Sequence, residues 1–183
     1  MADRREYAAR YDAMARKLYQ IAVYLTGDAF EARRAVAACF VSGYDAAARG
    51  EAPFEETMLR ELCRCCGDCP AVYGEQYRRQ LADTLAPARP DERLCALLCD
   101  LEPWKRAVIL LVFFGGAAAD RLHCMVGRDP LETTRALRGF FRQVRQEKSL
   151  CRLRIYRISR ETRVRSEESR PHPGCFVNGN HRP

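Results

Sequence analysis

The stretch AAADRLHCMVGRDPLETTRALRGFFRQVRQ, Ala117 to Gln146, carries its own punctuation. Gly127 closes a first apolar-periodic segment, at the position where a left-handed residue commonly ends a helix. Asp129, Pro130 and Glu132 then supply an N-cap, a proline for the first helical position and a capping-box partner. The spacing predicts a helix of about ten residues, a tight turn and a longer helix to Gln146 or beyond, the outline of a helix-turn-helix. At about 100° per residue, Thr133, Thr134, Leu137, Phe140, Phe141 and Val144 share one side. The opposite side presents Glu132, Arg135, Ala136, Arg138, Gly139 and Arg142. Arginines bind phosphates and, when bidentate, guanine edges; Ala136 and Gly139 let a helix approach closely. Arg128 lies at the turn, and Glu132 has the chemistry of a cytosine reader. Any amphipathic helix also turns its arginines outward, so a generic helical hairpin stands beside the DNA-binding reading.

Working outward, the helical period persists. Tyr7, Tyr11, Met14, Leu18, Ile21 and Leu25 recur at steps of four and three, predicting a helix from about Asp3 to Thr26 that Gly27 ends. Asp28 and Glu31 predict a capping box for a second helix. That helix carries Ala32, Val36, Cys39, Phe40 and Gly43 on one side and stops by Gly50. Pro53 suits the first turn of a third, where Phe54, Met58, Leu62, Cys65 and Cys66 share a face and Gly67 and Pro70 mark the end. Tyr73 to Pro90 is polar and reads as a linker, with a helical turn or more around Gln76 to Leu85. Leu94, Leu97, Leu98 and Leu101 resume the helical signal. Pro103 then opens PWKRAVILLVFFGG, apolar nearly all round and expected at the centre of a second core. No strand-like alternation emerges. The expected fold is all-α: a three-helix domain at 1–70, a linker at 71–90, a helix-turn-helix domain at 91–148 and a basic, disordered tail at 149–183.

Composition narrows the classes. The 183 residues are 48% hydrophobic and 30% charged, with a formal net charge of +7, which favours a polyanionic partner. Arginine recurs at Arg128, Arg135, Arg138, Arg142, Arg145, Arg152, Arg154, Arg157, Arg160, Arg163 and Arg165, so the excess sits towards the C-terminus. The longest apolar run, AVILLVFFGGAAA, is broken by two glycines and too short to span a bilayer. The charged start MADRREYAARYD lacks the apolar core of a signal peptide. A cytoplasmic protein with no membrane partner is expected. There is no phosphate-binding glycine loop, no H-E-x-x-H and no carboxylate pair on one predicted face, so nothing in the sequence points to an enzyme.

Ten cysteines call for a separate reading. ELCRCCGDCP, Glu61 to Pro70, holds four of them, with Cys63, Cys66 and Cys69 spaced C-x-x-C-x-x-C. A metal or cluster needs a fourth ligand, and none lies close in sequence. Cys63 and Cys65 also point about 160° apart on a helix, too far to share an ion. Cys65 and Cys66 continue the Phe54–Met58–Leu62 stripe, as small buried hydrophobes do. Structural cysteines are therefore expected, with no cofactor or metal. A thiol- or metal-sensing role remains the alternative; the projection leaves Cys63 off the core face, and it would act with Cys66.

LLCDLEPWKRAVILLVFFGGAAADRLHCMVGRDPLETTRALRGFFRQVRQ resembles region 4 of the bacterial sigma-70 family, extracytoplasmic-function type, through Leu101, Pro103, Arg106, Gly116, Leu122, Val126, Gly127 and Leu137. Upstream, GDAFEARRAVAACFVSGY resembles that family's region 2 through Gly27, Asp28, Ala32, Phe40 and Tyr44. The resemblance spans about residues 10 to 148. It implies a sigma factor that binds RNA polymerase core and directs transcription initiation through two promoter elements, with an anti-sigma factor as a further partner. Duplex promoter DNA would meet Arg128, Glu132, Arg135, Ala136, Arg138 and Arg142. Polymerase core would meet the positions of Arg33, Arg34, Ala37 and Ala38, where family members carry an acidic and glutamine cluster. The alternative is a diverged helix-turn-helix regulator or interaction module without initiation activity.

Overall fold

The computed structural model describes residues 3–50, 52–86 and 92–146. Among these there is no strand, and the all-α expectation holds. The helices are α1 Arg4–Thr26, α2 Ala29–Arg49, α3 Phe54–Gly67, α4 Gly74–Leu85, α5 Glu92–Cys99, α6 Pro103–Leu110, α7 Leu122–Val126 and α8 Pro130–Gln146. The expected disordered tail, from Ser149, lies outside the described residues.

The N-terminal three helices form where their apolar spacing places them. Asp3 caps α1 by accepting the Arg5 N–H, and Gly27 closes it at φ 74°, a conformation natural to glycine. Asp28 caps α2 through the Glu31 N–H at 2.8 Å. The expected reciprocal bond is replaced: the Glu31 carboxylate turns to Arg34 at 2.6 Å and accepts from Cys69 Sγ at 3.5 Å. Tyr7 and Tyr11, both buried, donate their hydroxyls to the carbonyls of Phe40 and Val36 at 2.7 Å, tying α1 to α2. Phe40 departs from its expected core position. It is 38% exposed, with its ring centroid 4.7 Å from that of Tyr11 at the rim of the contact. Pro53 stands just ahead of α3 as its N-cap residue rather than inside the first turn.

The polar stretch 71–90 contains more order than a linker needs. Helix α4 occupies 74–85 and buries Tyr77 and Leu81 completely. Tyr77 donates its hydroxyl to the Tyr24 carbonyl, and Thr84 donates to the Gly27 carbonyl at 3.1 Å. A Cβ on Gly27 would lie 3.0 Å from the Tyr77 ring, so the α1–α2 turn and α4 meet where only glycine fits without a shift. The buried side chains of both halves belong to one contiguous hydrophobic cluster, from Leu18 and Ile21 in α1 through Leu62 to Ile109 and Phe140. Burial of each such side chain contributes roughly 1.5–3 kcal/mol.

Arg106 is the largest side chain in that interior, at 1% exposure. Its Nε donates to Leu98 O at 2.9 Å, and Nη2 donates to Val72 O at 2.7 Å and Cys99 O at 3.4 Å. The guanidinium lies 3.8 Å from the Tyr77 ring centroid. Among the described residues no carboxylate pairs with it. Burial lowers its pKa from the usual arginine value. Three carbonyls and an aromatic face stand in for water around the cation, joining α4, α5 and α6.

The end of the central apolar helix is irregular. After Leu110 the backbone widens into a π turn, Leu111–Gly115, and Gly116 reverses it at φ 70°. Lys17 Nζ on α1 donates to the Gly115 carbonyl at 3.2 Å, and the Ala117 N–H returns to Leu111 O at 2.9 Å. These bonds draw Ala117 and Ala118 out of the helix expected from AAADRLHCMVG. Its first turn is a 3₁₀ turn, Ala119–Arg121, and only Leu122–Val126 is α-helical.

Candidate nucleic-acid interface

The interface is built on α6, α7 and α8. Leu122 and Met125 on α7 are buried, as are Thr133, Leu137, Phe140 and Val144 on α8, so the predicted inner stripe is the packed one. Phe113 in the π turn sits against Phe140 and Phe141, with ring centroids 5.8 and 5.7 Å away. Between the helices, Gly127 takes φ 62°, and its N–H and that of Arg128 both return to the His123 carbonyl. Asp129 Oδ1 accepts the N–H groups of Leu131 at 2.7 Å and Glu132 at 3.3 Å, fixing the first turn of α8. Thr133 and Thr134 both donate their hydroxyls to Pro130 O.

Packing on that stripe leaves the rest of α8 in solvent. Glu132, Arg135, Arg138, Gly139 and Arg142 are exposed, and Arg128 is exposed at the turn. Space around a Cβ at Gly139 is open. Ala136 differs from its expectation: it is half-buried against the core, because it borders the Leu137–Phe140 stripe. Arg145, absent from the expected contact set, is exposed and extends the same face. Arg135, Arg138, Arg142 and Arg145 fall within about 80° of the helix circumference and span about 15 Å of its length. Among the described residues none of the four has an ion-pair partner, and Glu132 is the single carboxylate on α8.

Several arginines elsewhere are paired. Arg10 meets Glu6, Arg34 meets Glu31, Arg64 meets Glu61, and Arg78 and Arg79 meet Glu75. Arg121 holds Glu56 through two nitrogens, with Nη2 2.7 Å from Oε1, and so links the 3₁₀ turn to α3. What sets α8 apart is that four arginines without ion pairs among the described residues share one side of a helix that carries a single carboxylate.

No family model, curated protein or solved structure matches this chain.

The second predicted set, Arg33, Arg34, Ala37 and Ala38, is exposed along α2. The structure adds two neighbours that the sequence reading had not singled out. Phe30 is 70% exposed and Val41 72% exposed, and with Ala37 between them they form a line at steps of seven and four on one helix face. A phenylalanine that falls outside the core period of its helix is the sequence signal for this patch.

The cysteine segment closes α3. Cys65 is buried, with Cys39 opposite on α2 donating to the Met58 carbonyl at 3.4 Å. Cys63 departs from the expectation that it points away from the core. It is half-buried and packs against the cluster because α7 covers that side of α3. Burial pushes its thiol up to about 12, and raises that of Cys66 as well, so both are held as neutral thiols. Among the described residues no three His, Cys, Asp or Glu side chains are grouped to hold a metal ion. On α7, exposed Cys124 and half-buried His123 touch, with Sγ 3.1 Å from Nε2.

No described helix is long and apolar enough to cross a membrane. What the α8 face can do follows from its charges. It can place several guanidinium groups against a polyanion over the length of a groove, with Gly139 permitting close backbone approach.

Proposed function

We propose that this chain is a sigma-factor-like DNA-binding protein whose α8 enters the major groove of duplex DNA. The observation that carries the reading is the row of arginines without ion-pair partners among the described residues, on a helix capped at Asp129 and buttressed by α6 and α7. Arg135, Arg138, Arg142 and Arg145 lie on one exposed side, Arg128 flanks them at the turn, and Glu132 stands where the helix begins. Neutralised arginines would add little to binding; free ones release counterions when they meet phosphates. A short helix, a left-handed glycine and a longer capped helix support the same geometry.

The reading extends to transcription initiation. In that fuller form α2 docks RNA polymerase core across Arg33, Arg34, Ala37 and Ala38, and α8 supplies one of two promoter contacts. Exposed Phe30 and Val41 beside those residues favour a protein partner on α2, since an apolar line of this kind gains from being covered. Arginine in place of acid there favours the diverged reading, a helix-turn-helix regulator whose α2 meets a different protein.

Two experiments test this. Fluorescence anisotropy with a labelled duplex should give saturable binding that R138A/R142A weakens by about ten-fold. Binding unaffected by that double variant would remove α8 from the interface. A pull-down with RNA polymerase core separates the fuller form from the diverged one. Retention at sub-micromolar concentration supports initiation, and its absence supports the regulator.

A further inference from the structure

Where α3 meets α6 and α7, the seam between the two halves opens into a cleft of about 610 Å³. Its size is that of sites for small organic ligands. Its chemistry is uneven. Among the described residues three guanidinium-bearing side chains line it: Arg60 and Arg64 from α3, and Arg128 from the α7–α8 turn. Arg64 is steadied through Nε by Glu61 at 3.0 Å. Arg60 has no ion-pair partner among the described residues, nor has Arg128, whose guanidinium lies 5.4 Å from the ring centroid of Trp104. Among the described residues Glu102 is the only carboxylate on the lining. It is already engaged, accepting from Lys105 Nζ and from Trp104 Nε1 at 2.8 Å, and these bonds hold its carboxyl below the usual glutamate range.

The remaining walls are aromatic and apolar. Trp104 and Tyr73, the latter 51% exposed, present ring surface, while Leu25 and Met125 close the floor. Positive charge next to flat aromatic surface, with Arg128 5.4 Å from the Trp104 ring centroid, selects a ligand that joins an anionic group to a planar one. A simple anion would leave the rings uncovered, and an uncharged ring would leave two arginines without a counter-charge. Guanidinium groups favour phosphate oxygens through paired N–H donors. Base–aromatic stacking contributes about 1–3 kcal/mol per base.

We propose that this cleft is a binding site for a small nucleotide, with its phosphates on Arg60, Arg64 and Arg128 and its base against Trp104. The site joins α3 to the α7–α8 turn, so an occupant fastens the two halves of the molecule together. It shares Arg128 with the proposed DNA face, while Arg60, Arg64 and Trp104 belong to the cleft alone.

Trp104 is the single tryptophan of the chain, so its emission reports the site directly. The full chain is titrated with ADP, GDP, adenosine and inorganic pyrophosphate, following Trp104 fluorescence and the thermal midpoint. Either nucleoside diphosphate should change the emission saturably and raise the midpoint, with adenosine and pyrophosphate at least about ten-fold weaker. R60A/R64A should weaken nucleotide binding by about ten-fold or more while leaving the ligand-free thermal midpoint near that of the parent. A linear, non-saturating response up to millimolar nucleotide would overturn the proposal, as would an unchanged affinity in R60A/R64A. Pyrophosphate as tight as ADP would overturn the aromatic half of the site. A single-stranded oligonucleotide that saturates the Trp104 signal more tightly than either nucleotide would assign the cleft to a nucleic-acid strand instead.

Discussion

The seam around Arg106 and the outer face of α8 use the same side chain in opposite ways. Arg106 is sealed from water, its donors directed at carbonyls of Leu98, Cys99 and Val72 and its plane laid over Tyr77. It holds α4, α5 and α6 together, and burial closes it off from a partner molecule. The α8 arginines are exposed and have no ion pairs among the described residues, so they contribute little to the fold and much to the field outside it. The difference teaches that location in a charge network, not residue type, separates a structural arginine from a recognition arginine. Solvation gives the reason. A buried cation must be matched by fixed dipoles, whereas an exposed one keeps its water until a phosphate displaces it.

The largest expected effect breaks the inner side of this contrast. R106A removes the buried cation and the N–H groups that it directs at the Leu98, Cys99 and Val72 carbonyls, and urea denaturation should show a loss of about 3 kcal/mol or more. A loss below about 1 kcal/mol would mean that water replaces the guanidinium, and the seam would not be sealed. R106K keeps the charge but not the planar fork, so it should recover only part of the stability.

A smaller effect sharpens the same side. Y77F keeps the ring under Arg106 and deletes the hydroxyl that donates to the Tyr24 carbonyl, so the expected cost is about 1 kcal/mol by the same measurement. A cost as large as that of R106A would shift the weight of the seam from the cation to the hydrogen bond.

Alkaline pH probes the interior without a substitution. Burial pushes the thiols of Cys39 and Cys63 up from an ordinary value of 9.0 to about 12, and the Tyr7 phenol from 10.0 to about 12. These groups ionise more easily in the unfolded chain. Their stabilisation is therefore complete below about pH 9 and is lost progressively as pH rises towards 12. The thermal midpoint should fall across that window, and less steeply in C63A; an identical slope in C63A would remove Cys63 from the set.

The smallest expected effect lies on the outer face. R138A/R142A should leave the thermal midpoint of the protein unchanged, since neither side chain has a partner to lose. A clear drop would make these arginines part of the fold.

The same contrast marks what the sequence reveals. Helix α8 is legible because every signal for it is local: Asp129 and Pro130 start it, the Thr133–Val144 stripe sets its inner side, and its arginines occupy what remains. The seam is not local. Tyr77 reads as one aromatic in a polar stretch until Tyr24 and Gly27, more than 45 positions away, close over it. Cys63 reads as outward until α7 arrives from the other half. Arg106 offers a partial signal: a cation at the start of the AVILL run falls on a helix that is apolar nearly all round, but the carbonyls that receive it come from two separate segments, Val72 and Leu98–Cys99. The α2 patch follows the same logic, since Phe30 and Val41 are visible as off-period apolar residues while their exposure depends on what α1 and α3 leave uncovered.

The most direct test of the central claim is the salt dependence of duplex binding by the full chain and by R138A/R142A. The account predicts that log Kd rises linearly with log salt concentration for the parent, and that the double substitution lowers the slope by about 2, one for each phosphate contact removed. An unchanged slope, or no saturable binding by the parent at low salt, would contradict it.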